Sequence, residues 1–273
     1  ALKVGDNATV TLVFSETVYS FSSSADITVP NGTLATMTSS DNITWTRTFT
    51  PTANTEDVSN TLSLATSYTD TAGNEGSVAT TANYEVDTLV PSVSSFTLSD
   101  TALKVGENAT VSLVFSEAVA SFSSSADITV ANGTLATMTS TDNITWTGTL
   151  TPPVNTEDAS NTLSLATSYT DTIGNPGPAA TTANYEVDTL APTVKSFTLS
   201  DTALKAGDNA TVKLVFSEAV VSFSSSADIT VANGTLATMT SSDNITWSRI
   251  FTPTVDTEDA SNTLSLATSY TDT

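Results

Sequence analysis

The chain repeats itself every 101 residues. The segment ALKVGDNATV at Ala1 returns as ALKVGENATV at Ala102 and as ALKAGDNATV at Ala203. Where the last two copies overlap, residues 102–172 and 203–273, 11 of 71 aligned positions differ. A repeat of this length is too long for a solenoid unit and fits a small domain. The sequence therefore predicts an array of near-identical domains, each able to bury a modest core of its own.

The charged residues are nearly all acidic. The chain carries 29 acids against 7 bases, a formal net charge of −22. This balance argues against nucleic acid as a partner, because phosphates need basic patches, and against an anionic membrane surface. The chain has no cysteine and no histidine, which excludes disulfides, thiol nucleophiles, zinc sites of the usual ligand set and histidine bases. The charge favours cations as binding partners.

Short stretches of alternating apolar and polar residues, separated by turn residues, predict β-strands. In the complete second copy we predict strand A at 93–99, B around Val111, Leu113 and Phe115, C around Ile128 and Val130, D at 135–139, E from Ile144 to Leu150, F around Leu163, Leu165 and Tyr169, and G around Tyr185 and Val187. The pair Asn132-Gly133 is typical of a hairpin turn after strand C. The fold class we expect is all-β: tandem immunoglobulin-like seven-stranded antiparallel β-sandwiches.

Differences between the copies test which face of a strand is buried. In strand B, Thr11 corresponds to Ser112 and to Lys213, whereas the apolar residues on either side recur unchanged. A lysine is tolerated only on the solvent face of a half-buried strand. The alternation therefore predicts one buried and one wet face for strand B.

The domain boundaries are predicted at 1–88, 89–189 and 190–273. Strand G runs into two similar linkers, 87–91 and 188–192, each ending in proline, which makes a short and extended connection more favourable than a flexible tether. With these boundaries the first domain lacks strand A and the third lacks strand G. We therefore expect a piece of a longer array, with both terminal domains less stable than the middle one.

A set of motifs then identifies a family resemblance. In order, VFSEAV, SADITVANGTL, ITWTGTLTP, NTEDASNTL, YTDTIGN and NYEVDTLAPTV resemble the bacterial immunoglobulin-like repeats of very large cell-surface adhesins, over essentially the whole chain. The resemblance implies an extracellular, secreted or surface-displayed extender module, stacked in many copies between an anchor and a distal binding tip, with roles in cell adhesion and biofilm. It also implies Ca²⁺ at the junctions between domains.

The acidic residues fall where such junctions are expected. In a sandwich of this connectivity the BC, DE and FG loops lie at the N-terminal end of the domain and the AB, CD and EF loops at its C-terminal end. The first junction collects Glu117, Asp127, Asp142, Asp171 and Asn175 of domain 2, the linker residue Asp87, and Asp6, Glu56 and Asp57 of domain 1. The second junction collects Asp188, Glu218, Asp228 and Asp272, with Glu107, Glu157 and Asp158 opposite. Calcium prefers six to eight oxygen ligands, so these clusters predict calcium sites.

Other interpretations of the acids stay open. Surface carboxylates also keep a repetitive β protein soluble and discourage association between strand edges, and no EF-hand-like loop specifies a ligand set. The adjacent pair Glu56-Asp57 does not provide two carboxylates facing each other across a cleft, as glycoside hydrolysis requires. We therefore expect no enzymatic activity.

Two functions from different classes follow. The first is a structural stalk segment of a bacterial adhesin, a monomeric array whose partners are the neighbouring repeats of the same chain, with no direct membrane contact; each sandwich would add roughly 35–45 Å. The alternative is an adhesin module that binds a sugar or a host protein through its N-terminal loops. Near-identity of the copies, loops included, favours the stalk. Trp45, Trp146 and Trp247 recur beside inward-facing residues, which favours core positions over sugar-stacking platforms.

Overall fold

The computed structural model describes residues 1–272, which divide into two compact units. The first is Ala1–Asp188 and the second is the described chain from Thr189 onward. The first unit contains two repeats and the second contains the third. Strands dominate, and each repeat adds a single helical turn. Within the described residues no helix is long and apolar enough to span a bilayer.

The strands and helices recur in each repeat. The first repeat contains β1 (Ala8–Val13), β2 (Val18–Tyr19), α1 (Ser23–Asp26), β3 (Ile27–Thr28), β4 (Gly32–Leu34), β5 (Thr44–Pro51), β6 (Glu56–Asn60), β7 (Ser63–Leu64), β8 (Thr69–Asp70), β9 (Ala79–Thr80) and β10 (Tyr84–Asp87). The second contains β11 (Val93–Leu98), β12 (Ala102–Lys104), β13 (Ala109–Phe115), β14 (Val119–Ala120), α2 (Ser124–Asp127), β15 (Ile128–Val130), β16 (Thr134–Leu135), β17 (Thr145–Thr151), β18 (Glu157–Asn161), β19 (Leu163–Leu165), β20 (Thr170–Asp171), β21 (Ala180–Thr181) and β22 (Tyr185–Asp188). The third contains β23 (Val194–Leu199), β24 (Ala210–Phe216), β25 (Val220–Val221), α3 (Ser225–Asp228), β26 (Ile229–Val231), β27 (Gly234–Leu236), β28 (Thr246–Pro253), β29 (Leu264–Leu266) and β30 (Thr271–Asp272).

The second repeat shows the complete sandwich. One layer is the four-stranded sheet β11-β13-β17-β16. The other layer is made of shorter pairings, β12-β22-β18, β15-β19-β21 and β14-β20. These layers correspond to strands A, B, E and D facing strands C, F and G. The predicted fold class, tandem immunoglobulin-like β-sandwiches, is confirmed.

The core lies between the two layers and follows the alternation of strand β13. Val111 and Leu113 are 0% exposed and Phe115 is 1% exposed, whereas the residues between them are more accessible. In the third repeat Lys213 lies on the exposed face of β24, between two buried residues. The predicted division of strand B into a buried and a wet face is confirmed.

The tryptophans pack against this core. The ring of Trp146 is half-buried, and its centroid lies 4.8 Å from that of Phe122 in an edge-on arrangement. Trp45 and Trp247 make the same contact with Phe21 and Phe223. The predicted core positions of the tryptophans are confirmed.

One strand pair departs from the predicted antiparallel pattern. Strand β12 pairs in parallel with β22, with Leu103 opposite Val187. After β11 the chain crosses to the other layer and continues in the same direction as β12. Strand β22, the last of the repeat, also runs in this direction, so the two strands pair in parallel. Leu103 is 1% exposed there, so this short segment closes the side of the sandwich.

The pair Asn132-Gly133 does not form the predicted hairpin. Strand β15 pairs with β19 and β16 pairs with β17, so the chain changes sheets at this point. Asn132 has the positive φ of 43° that also suits a hairpin turn. Its side-chain amide donates to Asp158 Oδ2 at 2.6 Å and to Asn161 Oδ1 at 2.7 Å, so long-range contacts determine where the chain goes next.

The segment predicted as the EF loop is a strand. β18 (Glu157–Asn161) pairs antiparallel with β22, with Glu157 opposite Asp188 and Asp158 opposite Val187. The segment lies at the edge of its sheet, where backbone hydrogen bonds hold a strand in place without apolar side chains, and it can therefore be polar. In the third repeat residues 258–262 form no strand, and the described part of that repeat contains no counterpart of β22. The polar strand therefore depends on its partner.

The first repeat is more open than the second. A cleft of about 720 Å³ lies between its layers, lined by Leu2, Val10, Phe49 and Tyr84 among others. Val10 is half-buried, whereas its counterpart Val111 is fully buried. The core of the first repeat is thus more accessible than that of the second.

Candidate metal centre at the joint between the first two repeats

The first two repeats meet within the first unit at a contact that we call the joint. The first repeat contributes the turn 3–6 after Leu2, the end of β10 at Asp87, and the linker that follows. The second repeat contributes the FG loop, residues 171–175, and Glu117 just after β13. The joint therefore combines groups from both sides of a predicted domain boundary.

Asp171 organises the FG loop. Its Oδ1 accepts the backbone N–H groups of Ile173 at 2.9 Å, Gly174 at 2.6 Å and Asn175 at 2.9 Å. Gly174 has φ of +100°, a conformation that glycine adopts without steric cost. Because Oδ1 serves the loop backbone, Oδ2 is directed to the Asn175 side chain, at 2.7 Å from Nδ2.

The Asn175 amide lies in an oxygen-rich cradle. Four oxygens surround its Nδ2: the Asp87 carbonyl at 2.9 Å, Asp87 Oδ1 at 3.5 Å, the Leu89 carbonyl at 3.4 Å and Asp171 Oδ2 at 2.7 Å. An NH₂ group has only two hydrogens and cannot satisfy four acceptors. Asn175 is nonetheless 0% exposed. The cradle therefore contains more acceptor oxygens than the two amide hydrogens of Asn175 can satisfy.

The other end of the same amide contacts the first repeat. Asn175 Oδ1 accepts the backbone N–H of Val4 at 2.7 Å. One side chain of the second repeat thus bonds both the turn and the linker of the first.

Neighbouring carboxylates shape the electrostatics of the joint. Burial raises the pKa of Asp87, and the charges of Asp171 and Glu56 raise it further, against a hydrogen bond from the Leu89 N–H that lowers it. Burial also raises the pKa of Glu117, with further contributions from Asp171, Asp87 and Glu56. These like charges repel one another, so a bound cation would stabilise the ionised joint.

Glu56 and Asp57 lie on opposite faces of β6, because successive strand residues point to opposite sides. Glu56 is paired with Asp87 in the ladder and contributes to the charge at the joint. Asp57 Oδ2 instead accepts the Asn31 side-chain amide at 2.7 Å inside the first repeat. In β18, Glu157 is likewise paired with Asp188 in the ladder, and Asp158 Oδ2 accepts the Asn132 side-chain amide at 2.6 Å.

Asp127 and Asp228 have internal contacts in their repeats. Asp127 is 3% exposed; its Oδ2 accepts the Ser123 N–H at 2.7 Å and its Oδ1 accepts the Ser168 hydroxyl. Asp228, 4% exposed, makes the equivalent contacts with Ser224 and Ser269. These contacts connect each carboxylate to residues of its own repeat. A ligand role for either residue stays a prediction.

Asp142 closes the DE turn. Its Oδ1 accepts the N–H groups of Thr145 at 2.8 Å and Ile144 at 2.9 Å. These two bonds, and a third from the Ser140 hydroxyl, lower the pKa of Asp142. The carboxylate is fully exposed and acts within its turn.

The residues predicted for the second junction occupy the counterpart positions of their repeats. Asp188 ends β22, Glu218 follows β24, and Asp272 in β30 pairs with Val220. In sequence they correspond to Asp87, Glu117 and Asp171.

Sequence reasoning missed the backbone groups of the joint, the Val4 N–H and the Leu89 carbonyl. Backbone atoms carry no side-chain signal, so their position depends on the tertiary structure. One signal was present: the FG loops keep a Gly-Asn pair at residues 73–74 and 174–175, while the flanking residues differ.

Several solved structures show similarity to the chain. The Escherichia coli adhesin FdeC shares 12% identity, with 98% of this chain and 94% of that chain covered at a TM-score of 0.32. The I9–I11 tandem of titin shares 6% identity, with 98% and 92% covered at 0.31. The Bacteroides ovatus protein SGBP-B of a mixed-linkage glucan utilization locus, in complex with a heptasaccharide, shares 14%, with 99% and 72% covered at 0.20. These TM-scores are too low to support an argument about function.

No curated protein matches the chain significantly. The model of the bacterial Ig-like domain matches residues 1–86, 87–187 and 188–273 in tandem. Because these matches cover the whole chain, the protein belongs to the bacterial Ig-like domain family.

Proposed function

We propose that the chain is an extender segment in the stalk of a bacterial surface adhesin, located outside the cell and stiffened by Ca²⁺ at the joints between repeats. Three near-identical sandwiches in tandem fit a protein whose function depends on length. Near-identity of the loops favours one repeated task over several distinct binding sites. The strongly acidic composition fits a protein that binds cations.

The cradle around Asn175 is the observation that carries the calcium proposal. The carboxylates of Asp87, Asp171 and Glu117 and the carbonyls of Asp87 and Leu89 are hard oxygen donors of the kind Ca²⁺ prefers, and binding would draw Glu117 towards the cradle. The donor chemistry therefore fits calcium, and a bound ion would supply the positive charge that the clustered carboxylates lack.

The donors come from both repeats, which is what a stiffening role requires. Asp87 and Leu89 belong to the linker that leaves the first repeat, whereas Asp171 and Glu117 belong to the second. Ligands on both sides would couple the linker to the FG loop. Extracellular calcium modules typically bind with dissociation constants of about 0.1–1 mM, which suits occupancy outside the cell.

The alternative of a ligand-binding module has less support. It would use the loops at the N-terminal end of a repeat, and in the second repeat the polar FG-loop residues Asp171 and Asn175 are buried, 1% and 0% exposed. These two side chains are therefore not accessible to a sugar or a host protein. Binding of the chain to a glycan array or to host matrix proteins would favour the alternative.

The proposal is tested by comparing the chain in 10 mM CaCl₂ with the chain in EGTA, using MgCl₂ as the matched ionic control. With the dissociation constants above, mass action gives a stabilisation of about 1.4–2.7 kcal/mol in calcium. Calorimetry should show the first unit melting at a higher temperature, and small-angle scattering should show a narrower distribution of dimensions. Identical melting and scattering in calcium, magnesium and EGTA would overturn the calcium proposal.

A further inference from the structure

We infer that the Gly174-Asn175 pair of the FG loop is a docking element for the turn 3–6 of the preceding repeat, so that each repeat recognises another copy of itself as its N-terminal neighbour. The biological meaning of this contact rests on the proposed extender function. The contact itself uses protein groups alone and does not need a cation.

The first repeat carries the same loop in an exposed position. Asn74, the counterpart of Asn175, is exposed, and its Nδ2 donates to Asp70 Oδ2 at 2.7 Å. Asn175 makes the same bond to Asp171, also at 2.7 Å, while fully buried. The asparagine–aspartate side-chain bond is thus the same in both loops. A preformed loop loses little conformational entropy on docking.

The docked loop adds contacts that the free loop does not make. Asn175 Oδ1 accepts the Val4 N–H at 2.7 Å, and Nδ2 donates to the Asp87 carbonyl at 2.9 Å. The donor and the acceptor of one amide therefore bond two separate segments of the preceding repeat. Such a two-point contact sets orientation as well as distance.

Glycine allows the close approach. A Cβ on Gly174 would lie 3.2 Å from Lys3 Nζ, tighter than an ordinary van der Waals contact. A Cβ on Gly73, in the free loop, would have nothing within 4 Å. The Lys3 side chain of the preceding repeat therefore extends over Gly174, and lysine recurs at this position in the other two copies.

The turn 3–6 is recognised through a backbone N–H group, so the same contact is available to every copy of the repeat. Asp6 Oδ2 accepts the Lys3 N–H at 3.2 Å and holds the turn. Val4 becomes Val105 in the second copy and Ala206 in the third. A bond to the backbone N–H is indifferent to this change of side chain. The same exposed turn can therefore dock any repeat that carries the Gly-Asn pair.

The test compares Asn175→Ala with the matched control Asn74→Ala in the full chain, in EGTA. Amide hydrogen exchange of Val4 reports the contact directly. Losing the acceptor of one buried hydrogen bond should accelerate Val4 exchange roughly tenfold in Asn175→Ala. Asn74→Ala should leave it unchanged, because the Val4 N–H donates to Asn175 and not to Asn74. Unchanged exchange in Asn175→Ala, or equal acceleration in both variants, would overturn the inference.

A second variant separates docking from cation binding. Asn175→Asp keeps an acceptor for the Val4 N–H but cannot donate to the Asp87 carbonyl and adds a carboxylate to the cradle. In EGTA it should weaken the joint through repulsion from Asp171, and calcium should restore it. If calcium has no effect on the unaltered chain while Asn175→Ala still exposes Val4, the cation proposal fails and the docking stands. If Asn175→Asp and the unaltered chain protect Val4 equally in EGTA, donation to the linker does not contribute and the two-point contact is wrong.

Discussion

Asn175 Oδ1 accepts the backbone N–H of Val4 at 2.7 Å, although the two residues are 171 positions apart in sequence. Each belongs to a different repeat, so this bond is formed between domains within the first unit. The same asparagine also donates to the Asp87 carbonyl in the linker. The joint is thus a specific contact in which polar groups bury together, beside carboxylates that repel one another.

Removing one of those carboxylates should have opposite effects with and without calcium. In EGTA, Glu117→Gln should stabilise the first unit slightly, by about 0.5 kcal/mol or less given its partial exposure, because it relieves repulsion from Asp171 and Asp87. In calcium the same change should reduce the ion-induced rise in melting temperature, since one ligand charge is lost. Calorimetry in both buffers measures the two effects.

Glu16→Gln is the matched control, because Glu16 is the counterpart of Glu117 in the first repeat and is exposed. It should change neither melting profile. A Glu117→Gln variant that responds to calcium like the unaltered chain would show that Glu117 is no ligand.

The pH dependence of the joint follows from the raised pKa values of Asp87 and Glu117, whose ordinary values are 3.8 and 4.5. Groups with raised folded-state pKa values stabilise fully below their ordinary values, and that stability is lost as pH rises through the folded-state values. In EGTA the joint should therefore strengthen as pH falls from 7 towards about 4.5. In calcium it should weaken over the same range, because protons compete for the ligands.

Other carboxylates make the free energy of unfolding depend on pH in the opposite direction, so their contribution must be separated from that of the joint. The pKa of Asp142 is lowered by hydrogen bonds in its turn, so its contribution is present above its ordinary pKa and is lost as pH falls. Urea unfolding gives the free energy of unfolding of the unaltered chain and of the double variant Asp87→Asn, Glu117→Gln. The difference between the two values isolates the joint, because the contribution of the Asp142 turn is the same in both chains and cancels. If this difference in the free energy of unfolding does not vary with pH in EGTA, the prediction is wrong.

Leu103→Ala tests the parallel strand β12. Leu103 is 1% exposed between the layers, so the truncation should destabilise the second repeat by about 2–5 kcal/mol. Leu204→Ala in the third repeat is the control, because Leu204 is only half-buried there and should cost less. Denaturant unfolding followed by tryptophan fluorescence gives both values, and equal losses would argue against a closing role for β12.

Hydrogen exchange should distinguish two segments that are identical in sequence, residues 157–161 and 258–262. Amides of β18 (Glu157–Asn161) should be protected by pairing with β22. Residues 258–262 form no strand and should exchange much faster, by about a hundredfold or more if local opening governs exchange. Equal protection would show that the segment is ordered without its partner, and it would weaken the expectation that the terminal repeat is less stable.

Much of the sandwich could be predicted from alternation alone. The buried face of β13, the wet position of Lys213 and the order of the strands follow from periodicity, since a half-buried strand must alternate. The polar strand β18 could not be predicted this way, because its pairing with β22 depends on backbone groups. Asn132 and Gly133 have the local conformation of a hairpin, and only the partners of β15 and β16 distinguish a hairpin from a change of sheet.

Within the joint, acidic side chains could be placed near one another from loop positions alone, and Asp87, Glu117 and Asp171 lie at the joint. Glu56 and Asp57 were predicted together, and β6 separates them onto opposite faces. The predicted domain boundaries and the ligand role of each carboxylate remain predictions.

The sequence by itself determined the array, the sandwich fold and the acidic junctions, because repeat length, alternation and charge are properties of residue order. The tertiary structure decided which groups meet. It buried Asn175 against the Val4 N–H, whereas its counterpart Asn74 is exposed, although the two loops share the same Gly-Asn pair and the same asparagine–aspartate side-chain bond. The physical reason is that a backbone N–H becomes a partner only when another repeat folds against it.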